Sequence, residues 1–341
     1  MSSIFKLSSS LLLSLVAVMG SSGEFSSFPG LEGREVKLTR IYDLQVYEVV
    51  PAENLLDGSS DYDRNHWGDR PVGDLGTVQA LVLHYTVGDA KSTLSWFCNT
   101  PYAESQVSAH YVVTETEDKS GVQGGNVIQV VPEEKRAWHA GPSEWRGIVC
   151  DTRDGRSRGL NSKSIGIENV NRGFTDADGV RTWYPYDEKQ INALGSLCAG
   201  IVTRWGIHPA NIVGHSDVCP SIKSDPGVLF PWGELYHKYG VGAWLTSEEL
   251  AGRFSGEAVE KEPLPKGVSE AYFLDKLKEY GYTGVPDGAG VVTPELAPFV
   301  RAFRMHFSAN QQPDKLEGPL SEIDMVWIHS LTTKYPTEGG Q

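Results

Sequence analysis

Apolar residues in this chain come in short unbroken runs, and the most informative runs end on a polar side chain. Ala80-Leu81-Val82-Leu83 closes on His84, the pattern of a strand buried on both faces. Ile212 and Val213 end in Gly214 and deliver His215 to a second strand end. Ser164 to Val170 forms a third run, in which Glu168 stands among Ile165, Ile167 and Val170. Ala109 to Thr114 reads as another buried strand, with Val127 to Val131 its hairpin partner across the turn at Gly121 to Gly125. Val46, Val49 and Val50 read as an edge strand. Asp57 to Gly76 and Ile148 to Leu160, dense in charged and turn-forming residues, read as surface loops.

Helical spacing governs other stretches. Glu188 to Trp205 carries one apolar stripe of Ile191, Leu194, Leu197, Cys198, Ile201, Val202 and Trp205. Asp187 with Gln190 makes a capping-box start, and Gly206 ends the helix. Lys91 to Phe97 predicts a shorter one. Past Trp232 the order weakens, and Glu257 to Gly267, mixing Glu, Lys and Pro, reads as a linker. Beyond it lie three amphipathic segments: Tyr272 to Tyr280 before Gly281, Leu296 to Phe307 with Pro298 straining its start, and Ile323 to Leu331 after a Ser321 cap. Helices this short need one another to bury their faces, so residues 268–341 are expected to form a small helical unit separable from residues 24–256.

The chemistry gathers on one punctuated segment. His215, Lys223 and Asp225 lie within eleven residues, and Pro220, Pro226 and Gly227 keep the later part irregular. Neutral imidazole and carboxylate both suit a borderline metal such as zinc, whose catalytic sites keep three protein ligands and an open position. His84 is the best supplier of the missing ligand, and Cys219, four residues after His215, is a rival. A carboxylate in so apolar a run as that around Glu168 is costly to bury unless it is paired or functional. Trp138-His139-Ala140-Gly141 sets an aromatic and a histidine before small residues, either a packed turn or a place where a ligand approaches the backbone. His208, His306 and His329 read as structural.

Five segments in one order, LVLHYT, SAHYVV, WHAG, NSKSIGIENVN and VGHSDVCPSIKSDPGVLFPW, resemble the type 2 N-acetylmuramoyl-L-alanine amidases, which share a fold with peptidoglycan recognition proteins; the resemblance covers roughly Val46 to Trp232. The resemblance implies an α/β fold, a central mixed β-sheet flanked by helices, with the C-terminal unit similar to a three-helix peptidoglycan-binding domain. It implies zinc held by His84, His215 and Asp225, with Glu168 as general base and Lys223 beside the reacting carbonyl. It implies substrate contacts by Tyr85, Trp138, His139, Ala140 and Arg146. Some relatives carry a catalytic Tyr where this chain has Ala109, so more falls on Glu168. Peptidoglycan and muropeptides are the implied partners.

With 341 residues the chain has room for one good-sized domain and a smaller one. Residues 1–23 place Lys6 before the apolar run Leu11 to Met19 and then Gly20, Ser21, Ser22 and Gly23, the order of a secretory signal peptide and too short a run for a membrane span. A secreted or periplasmic protein is expected. Four cysteines, Cys98, Cys150, Cys198 and Cys219, would permit two disulfides there, with three pairings open. A net charge of -14 argues against nucleic acid or anionic membrane as partner. Oligomeric state is not legible. Two other function classes are weighed: a non-catalytic peptidoglycan-binding protein, which has no need of Glu168 and Lys223 beside a full ligand set, and a generic zinc peptidase, for which the His-Glu-x-x-His helix is missing.

Overall fold

The computed structural model describes residues 29, 31, 35–49, 67–73, 77–99, 107–116, 119–148, 159–255, 264 and 266–337. Its strands are β1 (Val36–Ile41), β2 (Leu44–Val49), β3 (Trp67–Asp69), β4 (Ala80–Tyr85), β5 (Tyr111–Val113), β6 (Val127–Gln129), β7 (Lys135–Ala137), β8 (Ser164–Asn169), β9 (Phe174–Ala177), β10 (Val180–Trp183) and β11 (Ile212–Gly214). Its helices are α1 (Ala90–Cys98), α2 (Glu188–Trp205), α3 (His215–Val218), α4 (Trp232–Tyr239), α5 (Ser247–Ser255), α6 (Glu270–Tyr280), α7 (Ala297–His306) and α8 (Glu322–Lys334).

Seven strands form one sheet in the order β1-β2-β6-β5-β8-β4-β11. The four strands β5, β8, β4 and β11 run parallel, while β5 meets β6 and β1 meets β2 antiparallel. The expected mixed sheet flanked by helices is thus present. Parallel register sets His84 directly opposite Glu168 and sets Gly214 opposite Leu83, so His215 emerges level with His84. Three polar residues reach one edge because three neighbouring strands end together. The carboxyl ends of parallel strands are where open α/β sheets bind ligands.

Side chains alternate across the sheet. Leu81, Leu83, Ile165 and Ile167 pack in one core with the apolar stripe of α2. Val82 and Val213 pack on the other side with the C-terminal helices, and Val112 and Ile128 with α1. His84 and Glu168 share the parity of Val82 and Gly166, so they face the side away from α2. α2 itself begins where expected: the Asp187 carboxylate accepts the Gln190 N–H at 3.0 Å, and Gly206 closes it in the left-handed region at φ 64°.

Several expectations change. β2 is not an edge strand, because β1 covers it and it pairs with β6 on its other side. Part of the expected surface loop is strand β3, paired with β7. His215 starts a one-turn helix, α3, which stops before Pro220. Pro298 sits in the first turn of α7, where its missing N–H costs nothing. No disulfide joins Cys98, Cys198 and Cys219, and Cys150 lies outside the described residues. Cys98 belongs to the core beside α1 and Cys198 to the core under α2, with the sheet between them. The two-bridge arrangement is therefore not formed. Residues 1–23 and most of the linker also lie outside the described residues, and no described helix is long and apolar enough to cross a membrane.

The C-terminal helices do not stand apart. Phe273, Leu277, Tyr280, Phe303 and Ile328 share one core with Val82, Trp145, Val213 and Val218 of the sheet unit.

Candidate metal centre and groove

His84, His215 and Asp225 converge at the ends of β4 and β11. Nδ1 of His84 lies 3.0 Å from Nδ1 of His215, and Asp225 Oδ2 lies 2.9 Å from the first and 3.1 Å from the second. All three side chains are buried. Among the described residues this is the group of three whose ligand atoms could share a metal ion.

The partners of the other ring nitrogens decide which atoms carry hydrogen. His215 Nε2 faces the Ala140 carbonyl at 3.2 Å, which can only accept, so that nitrogen bears the hydrogen. The Ser164 hydroxyl donates to the Leu160 carbonyl at 2.7 Å and therefore accepts from His139 Nε2 at 3.2 Å. His139 Nδ1 is then an acceptor, and His84 Nε2 donates to it at 3.1 Å. When neutral, both histidines turn bare Nδ1 lone pairs toward the Asp225 carboxylate. Three acceptors this close repel one another unless a cation lies among them. Zinc, with bonds of about 2.0–2.2 Å to nitrogen and oxygen, fits this donor set.

Electrostatics agree. Burial, then the charge of His215, pushes His84 down to about 4, so it stays neutral at neutral pH. Burial lowers His139 well below the ordinary histidine range, with His84 and His110 adding to the effect. Burial alone would raise the Asp225 carboxyl; positive charge and a proton at the paired imidazoles, His215 first and then His84, hold it well below the usual carboxylate range, so the carboxylate calls for a cation at this spot. Glu168 differs. Its Oε2 is buried without a hydrogen-bond partner. Burial, and next the charge of Asp225, push it up to about 8 against the opposing pull of Lys223. A carboxyl tuned near neutrality is suited to taking and returning a proton.

A groove of about 620 Å³ opens over these residues, lined by Tyr85, Trp96, Trp138, His139, Glu168 and Lys223 as well as the three ligand candidates. Lys223 is exposed on its rim. The half-buried Tyr85 phenol lies 2.8 Å from Ser224 Oγ. Two expected substrate contacts lie elsewhere. Ala140 is fully buried and serves His215 through its carbonyl. Arg146 turns to the C-terminal helices, donating to the Tyr280 and Pro336 carbonyls. Its neighbour Trp145 is buried among Tyr280 and Tyr282, which draws the segment away from the groove.

Some contributors escape a reading of the sequence. Trp96, exposed on the short helix α1, lines the groove. Asn161 Oδ1 accepts the N–H groups of His139 and Ala140 at 3.1 and 2.7 Å and shapes their turn. Gly166 makes room for His139: a Cβ there would sit 2.3 Å from the imidazole Cγ. A glycine inside a strand was the available signal.

The model of the family described as N-acetylmuramoyl-L-alanine amidase matches residues 74–228. The chain is 38% identical over 259 residues to the N-acetylmuramoyl-L-alanine amidase AmiD of Escherichia coli (strain K12), covering 76% of this chain and 83% of that one. It is 38% identical over 112 residues to the 1,6-anhydro-N-acetylmuramyl-L-alanine amidase AmpD of Enterobacter cloacae, covering 33% of this chain and 50% of that one. The structure of E. coli AmiD with the substrate anhydro-N-acetylmuramic acid-L-Ala-D-gamma-Glu-L-Lys superposes with a TM-score of 0.60 at 33% identity, covering 79% of this chain and 95% of that one. AMPDH3 from Pseudomonas aeruginosa in complex with anhydromuramic pentapeptide also gives 0.60, at 36% identity, covering 78% and 96%.

Proposed function

Since the chain belongs to the N-acetylmuramoyl-L-alanine amidase family, we infer that it hydrolyses the amide joining N-acetylmuramic acid to L-alanine in peptidoglycan and muropeptides. The observation that carries this reading is the convergence of His84, His215 and Asp225 directly across from Glu168 at the end of β8, inside a groove. His84 Nδ1, His215 Nδ1 and Asp225 Oδ2 would hold zinc, which supplies Lewis-acid polarisation of the scissile carbonyl.

This chain's own residues account for the remaining steps. Glu168 removes a proton from the attacking water and hands it to the amine nitrogen as the C–N bond breaks. The Lys223 ammonium, on the rim, donates a charge-assisted hydrogen bond to the oxyanion formed from the carbonyl, an interaction typically of about 3 kcal/mol. His139 and Ser164 hold the tautomer of His84, and the Ala140 carbonyl holds that of His215. Trp96 and Trp138 offer apolar faces to the sugar and peptide flanking the bond.

Residues 1–23 are read as an export signal that places the enzyme with its substrate outside the cytoplasm. The binding-only alternative leaves the buried, unpartnered Oε2 of Glu168 without a purpose. Mass analysis of purified peptidoglycan after incubation with the protein tests the reading. Stem peptides with a free L-alanine amine and glycan stripped of peptide are expected. Glycan that keeps all its stem peptides overturns it.

A further inference from the structure

α3 connects two of the proposed ligands. His215 is its first residue, and the Ser216 N–H donates to the Asp225 carbonyl at 2.9 Å. A single turn has no stability of its own, because nucleation costs more than one turn returns. Its shape must be imposed by its surroundings.

Asp217 is where that happens. Its side chain is buried, 2% exposed, and Oδ2 accepts the Gly214 N–H at 2.8 Å, closing the turn just before His215. The carboxylate's other partners come from the C-terminal helical unit. The Tyr282 hydroxyl donates to Oδ1 at 2.7 Å, and His306 Nδ1 donates to Oδ2 at 2.7 Å. Both donors are themselves immobilised. The His306 ring is stacked between Trp232 and Phe307, at 3.7 and 3.9 Å, and Tyr282 lies edge-on to Trp145 at 5.0 Å. A buried carboxylate that loses one such donor is under-satisfied and moves to recover it, taking α3 with it.

We propose that Tyr282 and His306 are positioning residues of the metal centre: through Asp217 they hold α3, and so the His215 imidazole, in the arrangement that converges on His84 and Asp225. The C-terminal helical unit is then part of the centre's framework. The proposal rests on reading His84, His215 and Asp225 as zinc ligands.

The test is zinc affinity, measured by competition with a chromophoric chelator on the full chain, alongside thermal melting. Tyr282→Phe removes one hydroxyl without changing shape, and His306→Leu removes the Nδ1 donor. Each is expected to weaken zinc binding about 10-fold, the lower end for residues that orient metal ligands. His306→Asn, which returns an N–H donor at the Nδ1 position, should recover most of the loss. Lys334→Met, in α8 of the same helical unit but away from Asp217, breaks contacts that reach Tyr236 of α4 and Glu249 of α5. It should lower the melting temperature and leave zinc affinity unchanged. The proposal fails if Tyr282→Phe and His306→Leu bind zinc as wild type does, or if Lys334→Met weakens it equally. A wild-type chain that holds no zinc removes the premise itself, an outcome read before any variant is made.

Discussion

Glu168 and the residues around it divide the chemistry by environment. One carboxylate, Asp225, is held ionised by positive charge at the paired histidines, while Glu168, opposite His84 with a buried unpartnered oxygen, is raised to about 8. Glu168→Gln keeps the shape and removes the base, so turnover is expected to fall at least about 100-fold with zinc content unchanged. Steady-state kinetics with metal analysis checks this. Chelated protein adds a pH signature. Below the ordinary carboxyl value of 4.5 both folded and unfolded chains are protonated at Glu168; between there and about 8 the unfolded chain has released a proton that the folded chain keeps. Stability is therefore lost as pH rises through that window. Glutamine mimics the protonated form, so the melting advantage of metal-free Glu168→Gln over metal-free wild type should be absent near pH 4.5 and grow toward pH 8. A gap that does not vary with pH contradicts the assignment. Asp225 and Lys223, two residues apart, should fail differently. Asp225→Ala leaves two ligands and should lose zinc along with activity, whereas Lys223→Ala should keep zinc and lower kcat and kcat/KM together. Retention of full zinc by Asp225→Ala would move the third ligand to Cys219.

At the scale of elements, three parallel strands carry the site because they are covered on both faces. Leu81, Leu83, Ile165 and Ile167 point toward α2 and are apolar, and the residues pointing the other way change from Val82 to His84 and from Gly166 to Glu168 as the strands reach the groove. Gly166 belongs to that change, since the His139 ring lies against it. Gly166→Ala puts a methyl 2.3 Å from His139 Cγ. The ring must shift, at a cost of about 1–3 kcal/mol. Urea denaturation should show that loss, and zinc affinity should fall with it because His139 holds the tautomer of His84. If stability and affinity both match wild type, the described packing of His139 is wrong.

For the whole molecule, the composition of residues 257–267 and the repeated apolar spacing after them predicted a tethered helical unit. The core is continuous instead: Tyr280, Phe303 and Ile328 pack with Val82, Trp145 and Val218. Arg146, expected at the substrate, spans the same junction. A chain ending before Gly267 would expose that apolar surface, and burial is worth about 25 cal/mol per Å². It is expected to lose cooperative unfolding or to aggregate. Calorimetry of the truncated chain decides; a sharp transition at the wild-type temperature would show the helices to be dispensable for folding.

Local patterning was enough for the strands that carry His84, Glu168 and His215 and for the whole of α2 with its Asp187 cap and Gly206 stop. Each depends on residues adjacent in sequence or on a period that the backbone itself imposes. The position of β2 inside the sheet needed both the local hairpin with β1 and a pairing with the distant β6, and which far segment a strand will pair with is not written within that strand. The same holds for the cysteines: an even count permits bridges, but only the sheet lying between Cys98 and Cys198 decided that they do not meet. His306 looked ordinary because nothing beside it in sequence names its partner. Asp217 lies 89 residues away, and only the packing of α7 against α3 brings the two within 2.7 Å.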